Sequence, residues 1–556
     1  MTESLYNNNG AAERIGLVVP RYGIDVVGGA EQHMRSWAEQ LLARGYAVEV
    51  FTTCTNNMLD WNNYYESGTT TINGVLVRRF RTDDVDIGQV HRTARKAFAE
   101  VRVTYNEQLE FVRQSVNSQE LYQYLRDHHD EFRCFIFAPY LFGTTYWGVR
   151  TVPDKALLLP CLHDEPFARF VTYRELLEQV RGVLFNTEAE RRFASEQLGV
   201  VNPNTTLVGY GFDPSTPRGD GERFRTKHNL PPETMVYVGR LQGGKNVPLL
   251  VDYFARYKNE RPGPLTLALC GEGEVIQLAR PDIVELGFLS DDEKNDAYEA
   301  AMVFCQPSVN ESFSIVIMEA WLQDTPVIVH GDCAVTSEHV YLSGGGWTFR
   351  SYEEFRAVLD QMLNEPSIRE ARGHAGHQYV LQKYSWDAVT DRLIDGIERF
   401  TQPLSLREQL SRRGIQRVLE FSQERFEDLL GQVVARAESD LAQGLSHSQI
   451  DELREAAHVS MPEYQVQSGA PVVGDLIASV RQNLTSHLRE PYLDPIIERQ
   501  EHYNKLLVDT LLPALERSLR SQQRLERQVR LLEQQVMQLK KEHNPTYLDP
   551  SPSDDT

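Results

Sequence analysis

The feature that most constrains this chain is an alternation of short apolar strands with amphipathic helices, and the alternation runs twice. Residues 14–20 (RIGLVVP) read as a buried strand, followed by the loop RYGIDVVGG. A helix with Met34, Trp37, Ala38, Leu41 and Leu42 on one face then leads to a second strand at 46–53. Further strands are expected near 75–80, 134–138, 156–160 and 182–186. Such an order predicts a parallel sheet wrapped by helices on both faces. The stretch TPRGDGERFRTKHNLPPE (216–233) is rich in turn formers and charge and reads as a hinge. The pattern restarts with a strand at 234–240, a helix carrying Leu249, Leu250, Tyr253 and Phe254, and strands near 265–270, 283–288, 302–307 and 326–330. Helices at 352–363, 367–384 and 386–400 close it. The expectation is an α/β chain of two Rossmann-like domains, 14–215 and 216–400, facing a cleft, with ligands at the carboxyl ends of the strands.

From residue 401 the sequence turns helix-forming and rich in Gln and Arg, which is expected to give a helical linker region at 401–505. Val508, Leu511, Leu515, Leu525, Val529, Leu532, Val536 and Leu539 then fall on one 4-3 register, interrupted at Ser518 and Gln522. That is a coiled-coil seam over 506–541, expected to make a homo-oligomer or to take a partner helix. Its excess of basic residues leaves peripheral membrane contact as a second option. Segments 1–13 and 542–556 read as disordered.

A formal net charge of −22 excludes a general nucleic-acid binder, which needs a basic surface. No run approaches the ~18 apolar residues of a membrane span, and the polar start offers no signal segment. Six scattered cysteines, with no C-x-x-C pair, read as buried free thiols and point to the cytoplasm, with a peripheral place at the inner membrane face as an alternative.

The densest chemistry lies in NESFSIVIMEA (310–320). It places Glu311 in a loop after a strand and Glu319 on the following helix. The amides of Ser314, Ile315 and Val316 then stand at that helix's N-terminus, where unpaired N–H groups and the helix dipole attract phosphate. A carboxylate one turn further in suits a vicinal diol, because it only accepts hydrogen bonds. One segment can therefore hold a sugar, a diphosphate and a ribose.

With Glu311 and Glu319 in an E-x7-E spacing, the sequence resembles the retaining glycosyltransferases of family 4, of the GT-B fold class. Their pattern PS-x-x-E-G-F-G-x-x-x-x-E-A falls on residues 307–320, and VGRLQGGKN (238–246), CGEGE (270–274), ELGFLSDDE (285–293), YEAAMVFCQPS (298–308) and TPVIVHGD (325–332) follow in the family's order. The resemblance runs from about 14 to 400 and leaves out the tail. It implies a metal-independent transfer of a sugar, with retention, from a nucleoside-diphosphate sugar to a hydroxyl acceptor such as a glycan or lipid-linked glycan. No separate cofactor is implied, and surface polysaccharide or glycoconjugate synthesis is the expected setting. It assigns Arg240 and Lys245 to the diphosphate, whose growing charge fixed cations stabilise. Glu311 would hold donor-sugar hydroxyls, Glu319 the ribose, and Phe288 the base through its backbone. Gly28 and Gly29 of GGAE form a glycine loop toward the ligands, and His163 in LPCLHDEP would sit over the donor sugar near the reacting carbon. Ser312 and Ser314 depart from the pattern by replacing the glycines that flank its phenylalanine, here Phe313.

Three other motifs carry blander readings. Asp84 and Asp86 mimic the metal-binding D-x-D of a different transferase fold, one that leaves the second nucleotide-binding lobe unexplained, and they read as an acidic surface loop. Asp127, His128, His129 and Asp130 are adjacent on a helix and point in different directions. CGEGE lacks the third glycine and the early position of a dinucleotide fingerprint. Two rival functions remain: a non-catalytic GT-B scaffold assembling partners through its tail, and a GT-B epimerase or phosphorylase.

Overall fold

The computed structural model describes residues 14–403 apart from 27, 59 and 274–279. The expected helical linker beyond 403, the coiled coil and both terminal segments lie outside the described residues. Apolar runs pair edge to edge into two sheets. The first is built from β1 (Arg14–Val18), β2 (Val48–Thr53), β3 (Gly68–Ile72), β4 (Val75–Phe80), β5 (Phe132–Phe137), β6 (Ala156–Leu158), β7 (Gly182–Phe185) and β8 (Thr205–Leu207). Its order is β3-β4-β2-β1-β5-β6-β7-β8, parallel except for β3, which pairs antiparallel with β4. The second contains β9 (Thr234–Val238), β10 (Thr266–Cys270), β11 (Ile283–Gly287), β12 (Val303–Gln306), β13 (Val327–His330) and β14 (Gly346–Phe349), in the order β11-β10-β9-β12-β13-β14, all parallel. Two largely parallel sheets with helices after most strands are the two Rossmann-like lobes of a GT-B fold.

Each sheet has one point where successive connections leave in opposite directions. In the first sheet it lies between β1 and β5, and in the second between β9 and β12. Loops on the carboxyl side of such a pair diverge and leave a crevice, the usual ligand position in open α/β sheets. The loop after β1 carries Gly28 and Gly29. The loops after β9 and β12 carry Lys245 and Glu311. Topology thus puts these four residues on loops at the two switch points.

Two expectations change. The hinge predicted at 216–233 is half helix: Gly221–His228 is capped by the Asp220 side chain on the Arg223 amide and closed by Asn229 in a left-handed conformation. Its Arg223 pairs with the buried Asp296 of the helix Asp291–Ala300, so charge density here records a docked helix rather than a free linker. The last helix, Trp386–Phe400, turns back to the first lobe. Val389, Leu393, Ile397 and Phe400 pack with Ile15, Trp37 and Leu157, so the first lobe's core is completed by residues from the end of the described chain. β3, β8 and β14 are strands that the apolar pattern does not reveal.

Candidate functional site

In the second lobe the loops after β9 and β10 lie side by side. The Gly239 amide donates to Cys270 O at 2.9 Å, and the Leu241 amide to Glu272 O at 2.9 Å. A side chain at Gly271, whose φ is +149°, would place its Cβ 1.9 Å from Gly239 O, so only glycine permits this approach. The pairing sets the loop that ends in Lys245. From there Lys245 Nζ reaches Glu311 Oε1 at 2.7 Å, and Gln306 Nε2 approaches the same oxygen at 3.4 Å. Asn246 Nδ2 donates to Pro307 O at 3.0 Å and ties the two loops together. Arg240 stands exposed on the first of them, its carbonyl accepting from the Tyr237 hydroxyl at 2.9 Å. A cation and a carboxylate far apart in sequence therefore meet at the switch point.

The helix Ile315–Leu322 begins beside them, as expected, with Ser314 as its N-cap. Ser314 adopts φ +68° and ψ +73° and makes no capping bond with its side chain. Its hydroxyl is buried without a hydrogen-bond partner among the described residues. The amides of Ile315 and Val316 stay at the helix entrance, in half-buried residues.

Glu319, one turn in, is held by two side chains that the sequence reading did not single out. Tyr298 donates its hydroxyl to Glu319 Oε2 at 2.9 Å, and Lys294 Nζ lies 3.4 Å from Oε1. Burial opposes the charge on Lys294, but Glu319 and Asp291 hold its pKa above the usual lysine value. Burial, reinforced by Glu319, pushes the Tyr298 hydroxyl well above the tyrosine range, so it stays a donor. Lys294 and Tyr298 stand four apart on one helix face, and that spacing was the available signal. Phe288 follows β11 with its side chain 64% exposed, beside the Gly271 amide that donates to Gly287 O at 2.7 Å.

In the first lobe Gly28 caps the helix Gly29–Ala43. A Cβ on Gly28 would fall 2.2 Å from the carboxylate of Glu31, whereas Gly29 has open space around it. Glu31 is buried in an ion pair with Arg21, whose Nε lies 2.9 Å from Oε1. The motif's glutamate thus anchors its own loop. His163 lies on the loop after β6. Its Nε2 is 3.7 Å from Glu165 Oε1, and its Nδ1 is buried without a partner among the described residues. That loop touches the Glu311 segment of the other lobe: the Asn310 side-chain amide, oriented to suit its neighbours, donates to Asp164 O at 3.1 Å. Helix 188–192 adds a second bridge, because Glu338 accepts from the Ala189 amide at 2.9 Å and pairs with Arg192 at 2.7 Å.

The residues set aside are engaged elsewhere. Asp86 caps the helix Ile87–Phe98 through the Gln89 amide and pairs with Arg92 at 3.2 Å. His128 and His129 turn their Nδ1 atoms to the carbonyls of Tyr124 and Arg126.

Residues 220–379 match the family model described as glycosyl transferases group 1. A D-inositol 3-phosphate glycosyltransferase of Corynebacterium aurimucosum is 30% identical over 254 residues, which cover 41% of this chain and 59% of the relative. The chain spans less than two thirds of the length of this relative and of others with the same description. Among solved structures, an Anabaena protein in complex with UDP-glucose superposes with a TM-score of 0.52 at 15% identity, covering 69% of this chain and 99% of that one. Sucrose-phosphate synthase from Thermosynechococcus elongatus gives 0.53 at 16% identity, covering 70% and 98%. These comparisons agree with the GT-B fold and support the group 1 glycosyltransferase family.

Proposed function

We propose that the chain is a retaining, metal-independent glycosyltransferase that uses a nucleoside-diphosphate sugar. The observation that carries this reading is the 2.7 Å contact between Lys245 and Glu311 beside the N-terminus of the helix that bears Glu319. A cation, a helix N-terminus and two carboxylates at one switch point match the demands of a donor that is anionic in the middle and rich in hydroxyls at both ends. On binding, Lys245 and Arg240 take the diphosphate. Glu311 is released to the sugar hydroxyls, and Glu319 accepts from the ribose. The bond from the anomeric carbon to the diphosphate oxygen breaks, and the acceptor oxygen bonds to that carbon on the same face. The acceptor's proton passes to the departing phosphate. Fixed positive charge aimed at that leaving group lowers the barrier.

The relatives suggest the chemistry of the partners. Uridine diphosphate is the nucleotide of the Anabaena complex, and a phosphorylated polyol is the acceptor that the Corynebacterium enzyme's name implies. Both come to this chain as proposals, as does work on surface glycans from the cytoplasmic side.

The test is calorimetric titration of the purified protein with UDP, GDP and ADP, followed by turnover of the matching sugar nucleotides. One nucleoside diphosphate should bind in the micromolar range, and Lys245→Ala should lower turnover by about a hundredfold, as removal of one transition-state charge partner does. Absence of binding to all three, or unchanged turnover in the variant, would overturn the reading.

A further inference from the structure

Glu190 is 1% exposed, and the mechanism above leaves it without a task. It lies on the short helix Glu188–Arg192, which is capped by Thr187 through the Glu190 amide at 3.1 Å. Its two carboxyl oxygens go separate ways. Oε1 accepts from the Leu162 amide at 2.6 Å, and Oε2 accepts from the Asn186 amide at 2.6 Å. Leu162 belongs to the loop after β6 and Asn186 to the loop after β7, so one side chain closes the carboxyl ends of two adjacent strands. No basic side chain among the described residues pairs with it, and an uncompensated carboxyl group is costly to bury. Burial pushes its pKa up to about 8 even though the two amides and that of Thr187 pull it down.

The clamped turn is strained. Cys161 has φ +56°, a conformation that costs an L-residue roughly 1–2 kcal/mol and persists only where the surroundings enforce it. Its sulfur receives Asn186 Nδ2 at 3.8 Å and also meets the Ser312 hydroxyl, next to Glu311 in the other lobe. His163 is the residue after Leu162, and its Nδ1 has no partner among the described residues to orient it. Apart from the Glu165 carboxylate 3.7 Å from its Nε2, the imidazole is placed by the backbone beneath it.

We infer that Glu190 is a positioning residue: by bonding the Leu162 and Asn186 amides together it holds the left-handed turn at Cys161 and so sets the place of His163 in the cleft. This rests on the reading of His163 as a group facing the donor sugar. It adds a residue that acts only through backbone.

Glu190→Gln preserves shape but presents an NH2 group to one of the two amides, so one clamp bond is lost. The imidazole Cε1–H resonance of His163, identified by its loss in His163→Ala, should shift and broaden in Glu190→Gln, while UDP, carried by the other lobe, binds within about twofold of the wild type. Turnover of UDP-glucose should fall in Glu190→Gln, and the double variant with His163→Ala should be no slower than His163→Ala alone. An unmoved His163 resonance, or losses that multiply in the double variant, would overturn the inference. Absence of UDP binding in the wild type would instead count against the transferase reading and leave the resonance test intact. If Glu190→Gln does not fold, wild-type amide exchange decides. Protection at both Leu162 and Asn186 supports the clamp, and exchange at the rate of an open loop overturns it.

Discussion

Ser314 offers a prediction whose sign is unusual, because a substitution at the heart of the site should stabilise the protein. The residue is 5% exposed, stands at φ +68°, and buries a hydroxyl with no partner among the described residues. Relief of the left-handed strain in Ser314→Gly is worth about 1–2 kcal/mol, and removal of the orphan hydroxyl about 1 kcal/mol. Against this, glycine costs roughly 0.5–1 kcal/mol in backbone entropy, and the lost methylene about 0.8 kcal/mol. The balance is a gain of about 1 kcal/mol, or a rise in Tm of roughly 2 °C in a unit of this size. Ser314→Thr should go the other way by about 1–2 kcal/mol, because it keeps the hydroxyl but puts a β-branched residue where φ is positive. Urea titration and differential scanning calorimetry of the three proteins check both signs. A loss of 1 kcal/mol or more in Ser314→Gly would refute the reasoning, since the serine would then be supplying contacts that outweigh its strain. UDP affinity should change by less than about tenfold in the glycine variant, because the phosphate contacts proposed at this helix are main-chain amides.

Three further outcomes are expected. Turnover should survive EDTA, and Asp86→Asn should stay active, since asparagine still caps the helix and only the Arg92 pair is lost; loss of activity to chelator with rescue by manganese would contradict metal independence. Stability should peak in mildly acidic to neutral solution. Burial raises Glu190 to about 8, so the native state holds an extra proton and gains as pH falls from 8. Burial also lowers His33 and His339 to about 3, so below about 6.5 the unfolded chain takes two protons that the native state refuses. The net slope below 6.5 is about 1.4 kcal/mol lost per pH unit, and urea midpoints that do not fall between pH 6.5 and 5 would exclude it. Truncation after Pro403 should leave a monomer that still binds UDP, whereas full-length protein should self-associate; equal particle mass by light scattering would argue against assembly through the tail.

How much of this was legible in the sequence depends on how local each signal is. The strand–turn–helix around NESFSIVIMEA could be read because the two glutamates, the helix start and the preceding strand lie within twenty residues. The Lys245–Glu311 contact could not be, because it depends on β9 pairing with β12 although β10 and β11 come between them in sequence. Tyr298 and Lys294 escaped for a related reason: they reach Glu319 from a neighbouring helix. The hairpin β3–β4 was written in the sequence as Asn73-Gly74, both with positive φ, the signature of a tight hairpin turn. It was missed because β3 is a largely exposed Thr-rich strand with no apolar alternation. The helix within 216–233 was hidden by its own charge, since only Gly221 and Phe224 are buried and no stripe shows.

The replacement of two glycines by Ser312 and Ser314 takes on a physical meaning once the backbone is known. At 314 the serine stands at a positive φ, a conformation that a glycine would adopt without strain. At 312 no positive φ arises, and the added hydroxyl finds the Cys161 sulfur across the cleft. The two serines therefore do different things. One stores strain at the entrance of the helix Ile315–Leu322. The other joins the loop that carries Glu311 to the turn below His163. Strain held at a helix entrance is the kind of outlier that clusters at ligand sites, and it fits the proposed transferase better than a bare scaffold. On the rival scaffold reading nothing would select against relaxing this turn, nor against losing the Lys245–Glu311 pair beside it.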